Sequence, residues 1–296
     1  MELSWINKLR IAAVAALGIV VIGILAWPLA APADPLLPVR AWIIGPSGTL
    51  ALLVLAFAVG FAGYFIAWPH GREIGILAVP LGLSVWAIRS GPMSALMQMY
   101  RDAPDRRTLE HSLSFEPAYW LLIVAAGFAG VLAAQFLRPA GTGSAQTDPS
   151  RNLRDPNTYI NGLAALVVAI VVSHFFIGVF ARNLGMPGVV AQPEIGQIVF
   201  GVTAAFALAA FVVKKFLHLT YIWPAVASLF LIAVAQAVLY RGDIIQKFAE
   251  SRPAPLFPHS ILAILPVQMV ALGTLGSVIG YWLAIRYDFW RQHEGD

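Results

Sequence analysis

Residues 160–181 read INGLAALVVAIVVSHFFIGVFA. Apart from Asn161, Ser173 and His174, this run carries no polar side chain. About twenty such residues, wound as an α-helix, reach across a hydrocarbon core about 30 Å thick. A membrane β-barrel would instead alternate apolar and polar residues over segments of about ten, and no such alternation is found. Outward from this run the pattern recurs. Spans are predicted at Ile11–Leu29, Gly48–Trp68, Ile74–Ile88, Ala118–Phe136, Ile160–Ala181, Ile195–Val213, Leu219–Tyr240 and Ile261–Ile285. The expected fold class is therefore all-α: a polytopic membrane protein of about eight transmembrane helices. Pro80 marks the third span for a kink, because proline leaves a carbonyl without its helical donor.

The composition agrees. Of 296 residues, 59% are hydrophobic and 11% charged, and the mean hydropathy is +0.77. Soluble domains carry roughly 25% charged residues, so this chain could not cover a water-facing surface. No cysteine is present, which removes disulfides, thiolate metal sites, iron–sulfur clusters and a cysteine nucleophile. The net charge of +4 suits basic residues beside anionic headgroups, and no Lys/Arg run is dense enough to point to nucleic acid.

Basic residues near span ends set the orientation. With the amino terminus inside, the inner segments hold Lys8, Arg10, Arg72, Arg138, Arg151, Arg154, Lys214, Lys215, Arg286 and Arg291. The expected location is the inner (cell) membrane, multi-pass, with both termini cytoplasmic. Trp27, Trp68, Trp120, Trp223, Trp282 and Trp290 fall near span ends, where interfacial anchors are expected. The apolar run after the basic start, Ile11 to Ala30, exceeds the 7–15 residues of a signal-peptide core. It is read as a retained first helix, although AAPAD after it resembles a cleavage site.

One stretch is linker-like, RPAGTGSAQTDPSRNLRDPN at 138–157. It divides the chain into a first transmembrane half (1–137), a polar cytoplasmic linker (138–158) and a second half (159–296), with four spans on each side. The halves echo each other. The third and seventh spans end in arginines, Arg89 and Arg241. Each is followed by an apolar stripe at helical spacing, predicting interfacial helices at 92–100 and 243–250. Each loop then reaches a His-Ser pair, His111-Ser112 and His259-Ser260, then a proline and a G-x-x-G. This order fits a four-plus-four parallel repeat and equally fits chance matches in a low-complexity apolar chain.

Five positions are candidates for function at an intramembrane or outer-face site: His174, His111, His259, Arg89 and Arg241. Ala165, Ala169 and Ser173 form a small stripe that lets a neighbouring helix approach. His174 lies about 100° round from it, expected near a helix contact, either hydrogen-bonded to a neighbouring helix or touching a proton or substrate. No carboxylate sits mid-span to complete a proton path, and Gln135, Gln197, Gln236 and Gln268 cannot titrate. His111 and His259 with Glu110 or Glu116 lack a metal-site spacing, so Ser112 or Ser260 is expected to cap a helix instead. Arg89 and Arg241 suit helix carboxyl termini or an anion facing a shared cavity. No P-loop, dinucleotide fingerprint or nucleophile elbow occurs, and no cofactor or metal is expected. The glycines of AVGFAG, AAGFAG and GTLGSVIG are read as packing faces, for helices of this chain or for protein partners and a homo-oligomer. These features favour a structural or assembly subunit of a membrane complex. The alternative is a small-solute, ion or lipid transporter built from two four-helix halves. An enzyme is least supported.

Overall fold

The computed structural model describes residues 5–99, 113–139, 156–182, 192–240, 257 and 259–293. Every regular element among them is helical. In chain order these are α1 (Trp5–Gly18), α2 (Ala41–Ile66), α3 (Gly71–Ile74), α4 (Ala78–Arg89), α5 (Met93–Met99), α6 (Glu116–Leu137), α7 (Pro156–Phe180), α8 (Ile195–Leu217), α9 (Ile222–Tyr240) and α10 (Pro266–His293). Seven stretches are long and apolar enough to cross a membrane, with α3 and α4 counting as one, and an eighth, Ile222–Val238, is apolar but shorter. The protein is an integral, multi-pass, all-α membrane protein. Arg241, His111 and the 243–250 stretch lie outside the described residues, as do residues 140–155 of the linker.

Local chemistry explains where the helices begin. Before α8, Glu194 donates its backbone N–H to the Gln197 side chain at 3.0 Å, within a capping box. Before α10, Leu265 donates to Gln268 Oε1 at 2.9 Å, and Pro266 fills the first helical position, where its missing N–H costs nothing. Two of the four glutamines in the predicted spans are thus capping residues. The last span was expected from Ile261. Instead, Ser260–Ala263 is a 3-10 turn, Ile264 is extended, and the helix waits for Pro266, which disfavours helical backbone in the residue before it. Ser260 does not cap: the residue ahead of this turn is His259, with no side-chain cap bond.

The predicted kink at Pro80 takes a different form. A 3-10 turn at Gly75–Leu77 precedes α4, which places Pro80 in the first turn of a new helix, where proline is tolerated. In α2 the break lies at Gly45, with φ 66°, a left-handed conformation that glycine reaches without a Cβ penalty. Pro46 follows, and Thr49 Oγ1 donates to the Gly45 carbonyl at 2.7 Å. The continuous membrane helix therefore starts close to the predicted Gly48. After Gly18 the first helix widens into a π-helical stretch, Ile19–Leu25.

Glycines bring the helices together, and they show which helices run alongside each other. A Cβ at Gly18 would strike the Ala78 carbonyl, and one at Gly23 would press on Val85, so α1 and its π-helical extension run parallel to α4. Gly60 meets the Gly127 backbone, and Tyr64 donates its hydroxyl to the Arg138 carbonyl at 2.7 Å, so α2 and α6 are parallel. Gly276 and Gly280 abut the carbonyls of Thr203 and Ala207, and Lys215 pairs with Asp288 at 2.7 Å, so α8 and α10 are parallel. Gln268 donates to the Ala87 carbonyl at 3.2 Å, joining the start of α10 to the end of α4. α2 packs most extensively on α6, and α8 on α10; α1 and its π-helical extension lie against α4, whereas α7 lies chiefly against α8 and less against α9. These pairings put Arg138, Lys214, Lys215 and Asp288 at one end of the bundle, the basic end, and Trp27, Arg89, Arg40 and Glu116 at the far end.

The helix predicted at 92–100 forms as α5. Its stripe is turned into the bundle, with Met93, Leu96 and Met97 buried. Trp120 is a correction. It is fully buried against Trp86, at a ring distance of 6.2 Å, rather than anchored in the headgroup layer.

Candidate functional site

Three places gather the polar groups that matter. The first is His174. Ala165, Ala169, Ser173 and Ile177 are all fully buried, so the small stripe of α7 is a helix contact as expected. His174 itself is exposed. It shares the outward face with Val167, Val171 and Phe175 and with Gly178, around which a Cβ would meet nothing within 4 Å. Among the described residues no neighbouring helix covers it. An angle of about 100° from the centre of a buried stripe is already the edge of a peripheral helix, and α7 is peripheral.

The second is at the far end. Glu116, the first residue of α6, is 1% exposed, and its carboxylate lies 3.8 Å from Nε of Arg40, the residue that enters α2. The Ala41 backbone N–H and the Trp120 indole are polar neighbours of the carboxylate. Glu116 Oε1 forms no hydrogen bond of good geometry among the described residues. An acid at a helix amino terminus is favoured by the macrodipole, and here it also links the starts of two parallel helices. Aromatic rings extend from it to the surface. Tyr119 packs on Trp120 at 4.9 Å, Trp120 on Trp86, Trp86 on Trp27 at 6.3 Å, and Arg89 lies 4.1 Å over the Trp27 ring. Arg89 thus ends α4 as a cation at a helix carboxyl terminus. His259 is exposed ahead of its 3-10 turn.

The sequence missed the Arg40–Glu116 pair because each residue sits just outside an apolar run, where charges are ordinarily solvated. The one available signal was position: a base and an acid each ahead of a span start on the same predicted side, Glu116 close before Ala118 and Arg40 farther before Gly48.

The third place is the basic end. Lys214 stands 5.3 Å over Tyr281 and Lys215 4.3 Å over Tyr287, while Arg286 covers Trp290 at 4.8 Å and Arg138 covers Trp68 at 4.2 Å. Among the described residues no three His, Asp or Glu side chains converge as metal ligands would. Comparison with protein families, with curated proteins and with solved structures finds no match to this chain.

Proposed function

We propose that this chain is a structural or assembly subunit of a membrane complex, docking to its partner through the outward face of α7. The observation that carries this reading is His174. An imidazole facing hydrocarbon is costly, and such residues ordinarily find a partner. The side of α7 turned into this chain is already filled by Ser173 and Ile177, so the partner must come from outside. The expectation of docking through Gly-rich faces shifts with it. Gly60, Gly127, Gly130, Gly276 and Gly280 are spent on contacts within the chain, whereas Gly178 is open to a neighbouring helix.

The experiment is purification from native membranes in mild detergent. The reading expects a stoichiometric protein partner, or a second copy, retained by the wild type and retained in smaller amount by His174→Leu. A wild-type chain that elutes alone, with His174→Leu indistinguishable, would overturn it.

The transporter reading keeps one observation, the buried Arg40–Glu116 pair, since buried ion pairs can serve as switches. Glu116→Gln that folds normally but abolishes uptake of a solute would favour it. Inner-membrane location with both termini cytoplasmic belongs to the same proposal. Its support is the placing of Lys214, Lys215, Arg138 and Arg286 at the bundle end shared by the start of α1 and the end of α10. The four-plus-four repeat is supported by one likeness, the extensive pairing of α2 with α6 and of α8 with α10.

A further inference from the structure

At the basic end four elements meet: the start of α3, the end of α8, the residue before α9 and the second half of α10. Tyr221 is central to this junction. Its ring packs edge-on against Tyr281 at 5.4 Å and against Phe128 at 6.0 Å. The Arg72 guanidinium and the Glu73 carboxylate act electrostatically on its hydroxyl. Lys214 lies over the neighbouring Tyr281 ring, with Nζ 5.3 Å from its centre. Arg72 is exposed and Lys214 half-buried.

The neighbouring lysine shows what a satisfied cation looks like here: Lys215 holds Asp288 at 2.7 Å. Neither Arg72 nor Lys214 forms an ion pair among the described residues. Two cations therefore flank the packed Tyr221 and Tyr281 rings, Arg72 beside Tyr221 and Lys214 over Tyr281, with Glu73 opposing them among the described residues.

We infer that Arg72, Lys214, Tyr221 and Tyr281 form a binding site for the phosphodiester headgroup of an anionic phospholipid. The chemistry matches. A phosphodiester carries one negative charge and oxygens that accept from guanidinium, ammonium and phenol donors. The depth matches as well. Lys214 lies in the last turn of a membrane-spanning helix, and tyrosine rings favour the boundary between acyl chains and headgroups. Phe128, partly buried and packed on Tyr221, continues the site into the apolar layer as a wall for an acyl chain. Basic pockets between helices on the side rich in Lys and Arg are where anionic headgroups bind. This inference stands apart from the docking role of α7, because the two faces share no residue.

The test is native mass spectrometry of the full chain in mild detergent, titrated with phosphatidylglycerol or phosphatidylcholine of the same acyl length. The wild type should retain phosphatidylglycerol several-fold more strongly. Arg72→Gln with Lys214→Gln should remove the preference, and Arg89→Gln at the far end should keep it. Equal retention of the two lipids by the wild type would overturn the inference, and that comparison needs no variant to fold. Unchanged preference in the double variant, or in both single variants should the double not fold, would also overturn it. Displacement of phosphatidylglycerol by millimolar inorganic phosphate would show a site for the free anion and not for a lipid.

Discussion

Glu116 is buried beside Arg40. Removing one member of a buried pair takes the counter-charge from the other, which costs about 3–5 kcal/mol. Glu116→Ala or Arg40→Ala should therefore lower the unfolding free energy in detergent by about that amount, whereas Arg40→Met combined with Glu116→Leu should recover most of it. Single variants within about 0.5 kcal/mol of wild type, the range of ordinary surface substitutions, would mean the pair is solvated. His174 gives the opposite expectation. Because it faces out of the bundle, His174→Leu should leave the stability of the isolated chain unchanged. It should weaken association by about the 0.6 kcal/mol of an average intramembrane hydrogen bond, and by up to about 1.7 kcal/mol. Loss of thermal stability in the isolated variant would place the imidazole in a contact within the chain.

The helices divide by which of their glycines are used. Gly280 abuts the Ala207 carbonyl and Gly60 the Gly127 backbone, while Gly178 meets nothing. Gly280→Leu and Gly60→Leu should each destabilise by at least the 1–3 kcal/mol typical of overpacking, and Gly178→Leu should be neutral in the isolated chain. Thermal unfolding of the three variants side by side checks this, and equal losses would refute the assignment of faces. Gly45→Ala belongs to another class. Its φ of 66° would cost a side chain about 1–2 kcal/mol, although no atom lies in the way. At this scale the sequence was informative about existence and weaker about edges. Apolar length alone located the spans, and the spacing of Met93, Leu96 and Met97 foretold α5. The start of α10 was misread because apolar content does not register that Pro266 halts a helix on its amino-terminal side. The small stripe of α7 was legible from spacing. Which neighbour lay beyond His174 was not, because helix periodicity gives angles round one helix and says nothing of where its neighbours stand.

For the whole molecule, arginine-to-tryptophan contacts stand at both ends of the bundle. The Arg40–Glu116 pair could not be read from the chain, since it depends on two parallel helices, α2 and α6, that are far apart in sequence. If both termini are cytoplasmic, the loops around Asp105 and Ala145 lie on opposite sides. The absence of cysteine makes this simple to test with single cysteines at those positions and an impermeant maleimide. Labelling of both from the same side would contradict the topology. The central claim, that the α7 face is covered by protein and not by lipid, has a direct measurement in photo-cross-linking within native membranes. A benzophenone amino acid at Val171 or Gly178 should give a discrete protein adduct, while the same probe at Phe57 of α2 or Leu132 of α6, both exposed, should label lipid alone. Lipid adducts only at Val171 and Gly178, with none to protein, would contradict the account.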